Sequence, residues 1–148
     1  MADFKKIFSV GVAAAETAAA NKKEIEGVIS EVNKQLQELY DKKVHFGVWD
    51  LTKRTPRPGV KNIFVDAFNY DVVSYKGLCI SNKEKKEPIV LAEWQITENG
   101  YPCILKYDDR EAYCYNTDDL ETELATLLSD VKTGKAILKH LSTPSEKE

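Results

Sequence analysis

Two histidines, three cysteines, a cluster of carboxylates and one run of cations are the side chains with the chemistry to build a site. His45 and His140 stand far apart in the chain, with no HxH, HxxxH or Cys/His cluster around either. A zinc centre needs three or four ligands, which this spacing does not supply. His45 reads as a half-buried strand residue and His140 as a cation near a helix C-terminus. Cys79, Cys103 and Cys114 fall in strand-like runs without CxxC spacing. A nucleophilic thiol needs an electropositive, partly exposed setting, and Cys103 falls on the expected core side. An odd count of such cysteines suits small buried thiols in a reducing compartment, hence a cytoplasmic chain.

The carboxylates are Asp108, Asp109, Glu111, Asp118 and Asp119. Grouped carboxylates can hold magnesium for phosphoryl chemistry, so a small metal-dependent hydrolase is one alternative. The same residues are ordinary turn formers and ordinary occupants of a helix first turn. The cations are Lys53, Arg54, Arg57 and Lys61, in the proline-rich run TKRTPRPGVK. With Trp49, Tyr70 or Tyr75 they could supply phosphate contacts and a stacking platform for nucleic acid. A formal net charge of −3 opposes that reading. No Gly-rich phosphate cradle and no GxSxG motif is present. No catalytic residue, metal ligand or cofactor is therefore assigned, and an enzyme is not the favoured reading.

The elements that would position these groups start from Pro88–Tyr115, which alternates as a three-stranded antiparallel meander. Asn99-Gly100 is the preferred pair for a two-residue type I′ hairpin. That turn sets Ile96 against Cys103, Trp94 against Leu105 and Ala92 against Tyr107 on an apolar face. Thr97 with Pro102, Gln95 with Ile104 and Glu93 with Lys106 take the other face, with opposite charges paired. A second turn at Asp108–Arg110 leads into Glu111–Tyr115, whose inward residues stay undecided between Ala112 with Cys114 and Tyr113 with Tyr115. Val44–Leu51, Asn62–Phe68 and Val72–Ser81 are further expected strands, with Thr52–Lys61 a loop that Pro56 and Pro58 keep irregular.

Residues 3–40 read as helix. Phe4, Phe8, Gly11, Ala15, Ala18, Lys22, Ile25, Ile29, Val32, Leu36 and Leu39 alternate in steps of four and three, a heptad seam. Asn21 and Glu24 form a capping-box-like pair that could restart the helix, so one rod or two helices are both open. An unbroken rod of about 55 Å would overhang a domain some 40 Å across. Lys5-Lys6 before an apolar run loosely mimics a secretory leader, but Asp3 and the continuing helical pattern favour a helix. Thr117 or Asp118 caps a helix with Leu120, Leu124, Leu127 and Leu128 on one face, and Gly134 marks a break before a last helix. The tail 142–148 is polar and expected to be disordered.

These readings give an α+β domain over 1–148: a twisted antiparallel sheet of five or six strands against a long N-terminal helix and two C-terminal helices. Residues 1–20 are expected to protrude or fray. The favoured function is a non-enzymatic accessory or protein-interaction protein. It would self-associate or hold a protein partner through Ile25, Ile29, Val32, Leu36 and Leu39. Nucleic acid is a less favoured partner, and no run approaches the roughly 20 apolar residues of a membrane span.

Overall fold

The computed structural model describes residues 1–56 and 70–142. Helix α1 spans Phe4–Leu39. Five strands follow: β1 (Val44–Pro56), β2 (Tyr70–Asn82), β3 (Ile89–Thr97), β4 (Gly100–Tyr107) and β5 (Arg110–Cys114). Helices α2 (Thr117–Leu128) and α3 (Val131–Ser142) close the described chain, which is the expected α+β class. The sheet runs β1-β2-β3-β4-β5 with every neighbouring pair antiparallel. The strand expected at Asn62–Phe68 and the tail 143–148 lie outside the described residues.

Asp3 starts α1 by accepting from Lys6 N at 3.3 Å, satisfying one orphan donor of the first turn. The helix then runs unbroken past Asn21 for 36 residues, about 54 Å at 1.5 Å per residue. The Asn21 side chain does not restart the helix. It turns to the sheet and donates to the Asn99 carbonyl at 3.0 Å. Beyond Leu39 the chain reverses through Asp41 and Lys42, both left-handed, with Lys42 N donating to Gln37 O at 2.8 Å.

All three helices serve one apolar face of the sheet. Ile25 and Ile29 of α1 join Val44, Phe46, Leu78, Ile80, Trp94, Cys103 and Leu105 from the strands. Leu120, Leu124, Leu127 and Ala136 of α2 and α3 complete the same core. On the opposite face Gly77 leaves room for the Leu51 and Val90 side chains to close over it; an added Cβ would sit 2.8 Å from Leu51 Cδ1. Strand β1 is an edge, and its Phe46 N–H is satisfied by Asn33 Oδ1 of α1 at 2.9 Å.

The meander keeps the expected register from Glu93–Lys106 through Ile96–Cys103, but Thr97 pairs with Gly100 and not with Pro102. Pro102 has no N–H to give the ladder, so pairing lapses there. Of Asn99 and Gly100, only Gly100 has positive φ, at 91°. The hairpin therefore closes through a glycine bulge, not a type I′ turn. The type I′ geometry occurs one turn later: Asp108 and Asp109 have φ of 49° and 61° between the paired Tyr107 and Arg110. That two-residue turn sends Cys114 into the core and leaves Tyr113 and Tyr115 exposed.

Three boundaries differ from expectation. β1 continues to Pro56, so Thr52–Pro56 pair with Tyr70–Ser74. A proline is tolerated there because it ends an edge strand. Pairing of β2 with β3 stops at Lys76–Trp94, so the far ends of β1 and β2 run on as a two-stranded ribbon. Asn116, not Thr117 or Asp118, caps α2, accepting from Asp119 N at 2.8 Å. The break before α3 comes at Ser129–Asp130, with Gly134 inside the helix. Buried Thr133 donates to Leu127 O at 2.7 Å across that corner.

Gly100 has a left-handed φ, and an added Cβ would stand 2.7 Å from Asn21 Cβ. Gly100→Ala is expected to lower stability by about 1–3 kcal/mol. Gly27 lies in α1 with open space around it, so Gly27→Ala is expected to raise stability by about 0.5–1 kcal/mol. Urea unfolding midpoints of the two variants check both signs.

Candidate functional site

The carboxylates expected to gather around a metal are spread over separate structural tasks. Asp108 and Asp109 make the β4–β5 turn, and Asp118 and Asp119 occupy the first turn of α2. The Asp119 carboxylate accepts from Tyr115 N at 3.0 Å. Glu111 accepts from the Tyr113 hydroxyl at 3.0 Å and lies 3.6 Å from Lys106 Nζ. Among the described residues no group of three or more His, Cys, Asp or Glu is placed to hold a metal ion.

The basic run is divided as well. Lys53 and Arg54 are exposed on the β1 part of the ribbon, whereas Arg57 and Lys61 lie outside the described residues. Lys53 Nζ meets Glu93 at 2.8 Å and stands 5.0 Å above the Tyr75 ring. Across the ladder Glu93 faces Lys106, which meets Glu111, so an alternating chain of charges crosses the sheet's helix-free face. Exposed pairs of this kind contribute about 0–1 kcal/mol each.

His140 and the cysteines are turned inward, whereas His45 is half-buried. The His45 ring lies along Gly47, 3.0 Å from where a Cβ would sit. Desolvation, then nearby Lys85, hold its pKa below the ordinary value. His140 is buried in the last turn of α3. Cys79, Cys103 and Cys114 are buried free thiols, with Cys103 and Cys114 opposite one another on β4 and β5. Burial pushes Cys79 and Cys103 up to about 11 and Cys114 up to about 12. Such thiols are protonated at neutral pH and are poor nucleophiles.

Two carboxylates missed as a pattern in the sequence tie helices to strands. Glu24 of α1 accepts from Tyr101 Oη of β4 at 2.5 Å and from Thr117 Oγ1 of α2 at 2.9 Å. Tyr101, then Thr117, hold the Glu24 carboxyl below its usual range. Buried Glu123 of α2 accepts from Arg110 Nε and Nη2, at 2.8 and 2.7 Å, and also from the Tyr107 hydroxyl. Arg110 first, and Tyr107 with it, lower the Glu123 pKa. Each contact is with another protein group, so these are clasps. Their residues lie 77 and 93 positions apart for Glu24, too far for any local pattern to signal.

The expected association residues divide between two settings. Ile25 and Ile29 are sealed in their own core, because α1 turns this face to β1 and β4. Val32 and Leu36 are half-buried, and Leu39 is 70% exposed. These three line a groove of about 800 Å³ against Leu128 and Ile137. The larger uncovered apolar surface is the preceding half of the helix. Phe4, Ile7 and Phe8 are 57%, 53% and 72% exposed, and Val10 and Val12 are also exposed. No helix among the described residues is long and apolar enough to cross a membrane.

Comparison with protein-family models, with curated proteins and with solved structures gives no match.

Glu123 supplies an acid-sensitivity test. Its carboxylate is favoured in the folded chain, so its stabilisation is complete above the ordinary glutamate value of 4.5. It is lost as pH falls through the lower folded value. Glu123→Ala is expected to cost about 1–3 kcal/mol at pH 7, with the gap from wild type narrowing below pH 4.5, read by urea unfolding at several pH values. Iodoacetamide at pH 7.5 should leave the native thiols unmodified and should label all three in denaturant, counted by intact mass.

Proposed function

We propose that this chain is a non-enzymatic accessory protein that works by binding protein through the free half of α1, residues 4–20. The exposure of Phe4, Ile7 and Phe8 on one stripe carries this reading. A large apolar side chain left in water forgoes about 1.5–3 kcal/mol of burial, and three in succession make a surface that favours a cover. A helical segment of this length is also marginal on its own in water, so contact with a partner would stabilise it.

The stripe is interrupted at Lys22 and resumes on the same face with Ile25 and Ile29, which pack on the sheet. The free half therefore extends a surface already shaped for packing, at the same 3.6-residue period. The groove by Val32, Leu36 and Leu39 lies at the far end of the helix and offers a second, shallower contact. Three free cysteines support a reducing location such as the cytoplasm.

A photo-crosslinking amino acid at Phe8 in the full chain, expressed in its own cells, tests the reading. An adduct of higher mass is expected from that position and not from Glu121, on the exposed side of α2. Absence of any adduct at Phe8 overturns it.

A further inference from the structure

At about 100° per residue, Phe4, Ile7, Phe8, Gly11, Ala15 and Ala18 fall on one side of α1, with Ala14 beside them. Bulk along this stripe is graded. The large side chains occupy its first two turns, alanines occupy its last two, and Gly11 stands near the middle of the free segment. The remaining side of the segment mixes Lys5, Lys6, Ser9, Glu16 and Thr17 with exposed Val10 and Val12 and three alanines.

We propose that the occupant of this stripe is the same segment of a second copy, packed antiparallel about a two-fold axis at Gly11. This rests on the reading of residues 4–20 as an interaction surface and names its partner. Antiparallel superposition about Gly11 sets Phe4 against the partner's Ala18, Ile7 against the partner's Ala15 and Phe8 against the partner's Ala14. Each large side chain meets a small one, twice over by symmetry, so knobs find holes along the whole stripe. Gly11 meets its own copy at the axis, where the absence of a side chain allows the helices to approach closely.

Charge selects the same orientation. Lys5 and Glu16 project from the same flank of the stripe, and in an antiparallel pair like flanks face one another. Lys5 therefore comes alongside the partner's Glu16 at both ends of the contact, an attraction of about 0.2–1 kcal/mol per exposed pair. A parallel pair would stack Phe4 and Phe8 on their own copies, turn Lys5 toward the partner's other flank, away from the partner's Glu16, and leave the alanine end loosely filled.

Length agrees with both. The Asp3-capped start of each helix comes to lie beside the partner's Ala19, two residues before Asn21, where α1 meets its own sheet at Gly100. The pairing thus covers the free segment and stops where the body begins. A contact of this size falls near or below the roughly 1,200 Å² lower limit of tight interfaces. Dissociation in a range on the order of micromolar is expected.

Light scattering of the full chain across micromolar concentrations is expected to show twice the 16.7 kDa chain mass at the top of the range. Phe8→Glu should hold it at the single mass while its urea midpoint, read at a concentration below the dimer range, stays unchanged, since Phe8 is not among the core residues. With a short thiol-reactive bis-maleimide, Lys5→Cys mixed with Glu16→Cys should give a cross-linked dimer. Lys5→Cys alone should give none, because the three native thiols are buried. A single mass at every concentration, or Lys5→Cys cross-linking to itself, overturns the proposal. A Phe8 photo-adduct whose mass is not twice that of the chain also removes the second copy as partner, yet leaves the interaction reading standing. Absence of any adduct removes both.

Discussion

The contact of α1 with Gly100 is the constraint on which the rest of the molecule depends. A helix backbone can come this close to a hairpin only where the hairpin has no side chain, and an added Cβ at Gly100 would collide with Asn21 Cβ. The same glycine supplies the positive φ that closes the β3–β4 hairpin. One residue thus satisfies two geometric demands that would otherwise compete. Because α1 is pinned at Asn21, Ile25 and Ile29 reach the core one and two turns later, and residues 1–17 are carried clear into solvent.

Around that contact, polar clasps set the angle that apolar packing leaves loose. Hydrophobic burial is non-directional, so Ile25 and Ile29 alone would permit α1 to pivot on the sheet. Glu24, holding Tyr101 and Thr117 together, fixes α1 against β4 and α2. Glu123, bound by Arg110 and Tyr107, fixes α2 against the β4–β5 turn. The carboxylates with specific partners therefore determine architecture, while the more conspicuous acidic run from 108 to 119 mostly shapes a turn and a helix start.

Local pattern made the sheet legible. Alternation in Pro88–Tyr115 yields the correct faces and four correct pairs from Glu93–Lys106 to Ile96–Cys103, because a two-residue period leaves no freedom once one pair is placed. The turn chemistry was misassigned between two candidates: Asn-Gly has the stronger preference for type I′, yet Asp-Asp adopts it. Asn99-Gly100 answers to a distant helix, which its own dipeptide cannot report. The heptad seam was legible as a pattern and ambiguous as a role. Residues from Ile25 and residues before Asn21 share one period, and only tertiary structure decides which half the sheet covers. Likewise the ribbon beyond Leu51 hides behind a proline that an edge strand accepts.

The order of the elements carries a consequence for biosynthesis. The sheet is a simple meander whose strands pair with their immediate successors, so each hairpin can close soon after it is made. Helix α1 is made before every strand, but its seat on Cys103 and Leu105 and its clasp to Tyr101 and Thr117 come from residues made much later. Until β4 emerges, the stripe has only β1 to pack on, and its first half, from Phe4, stays uncovered on the nascent chain. The growing polypeptide is therefore at its stickiest before β4 emerges, and any holdase or premature association would act in that interval.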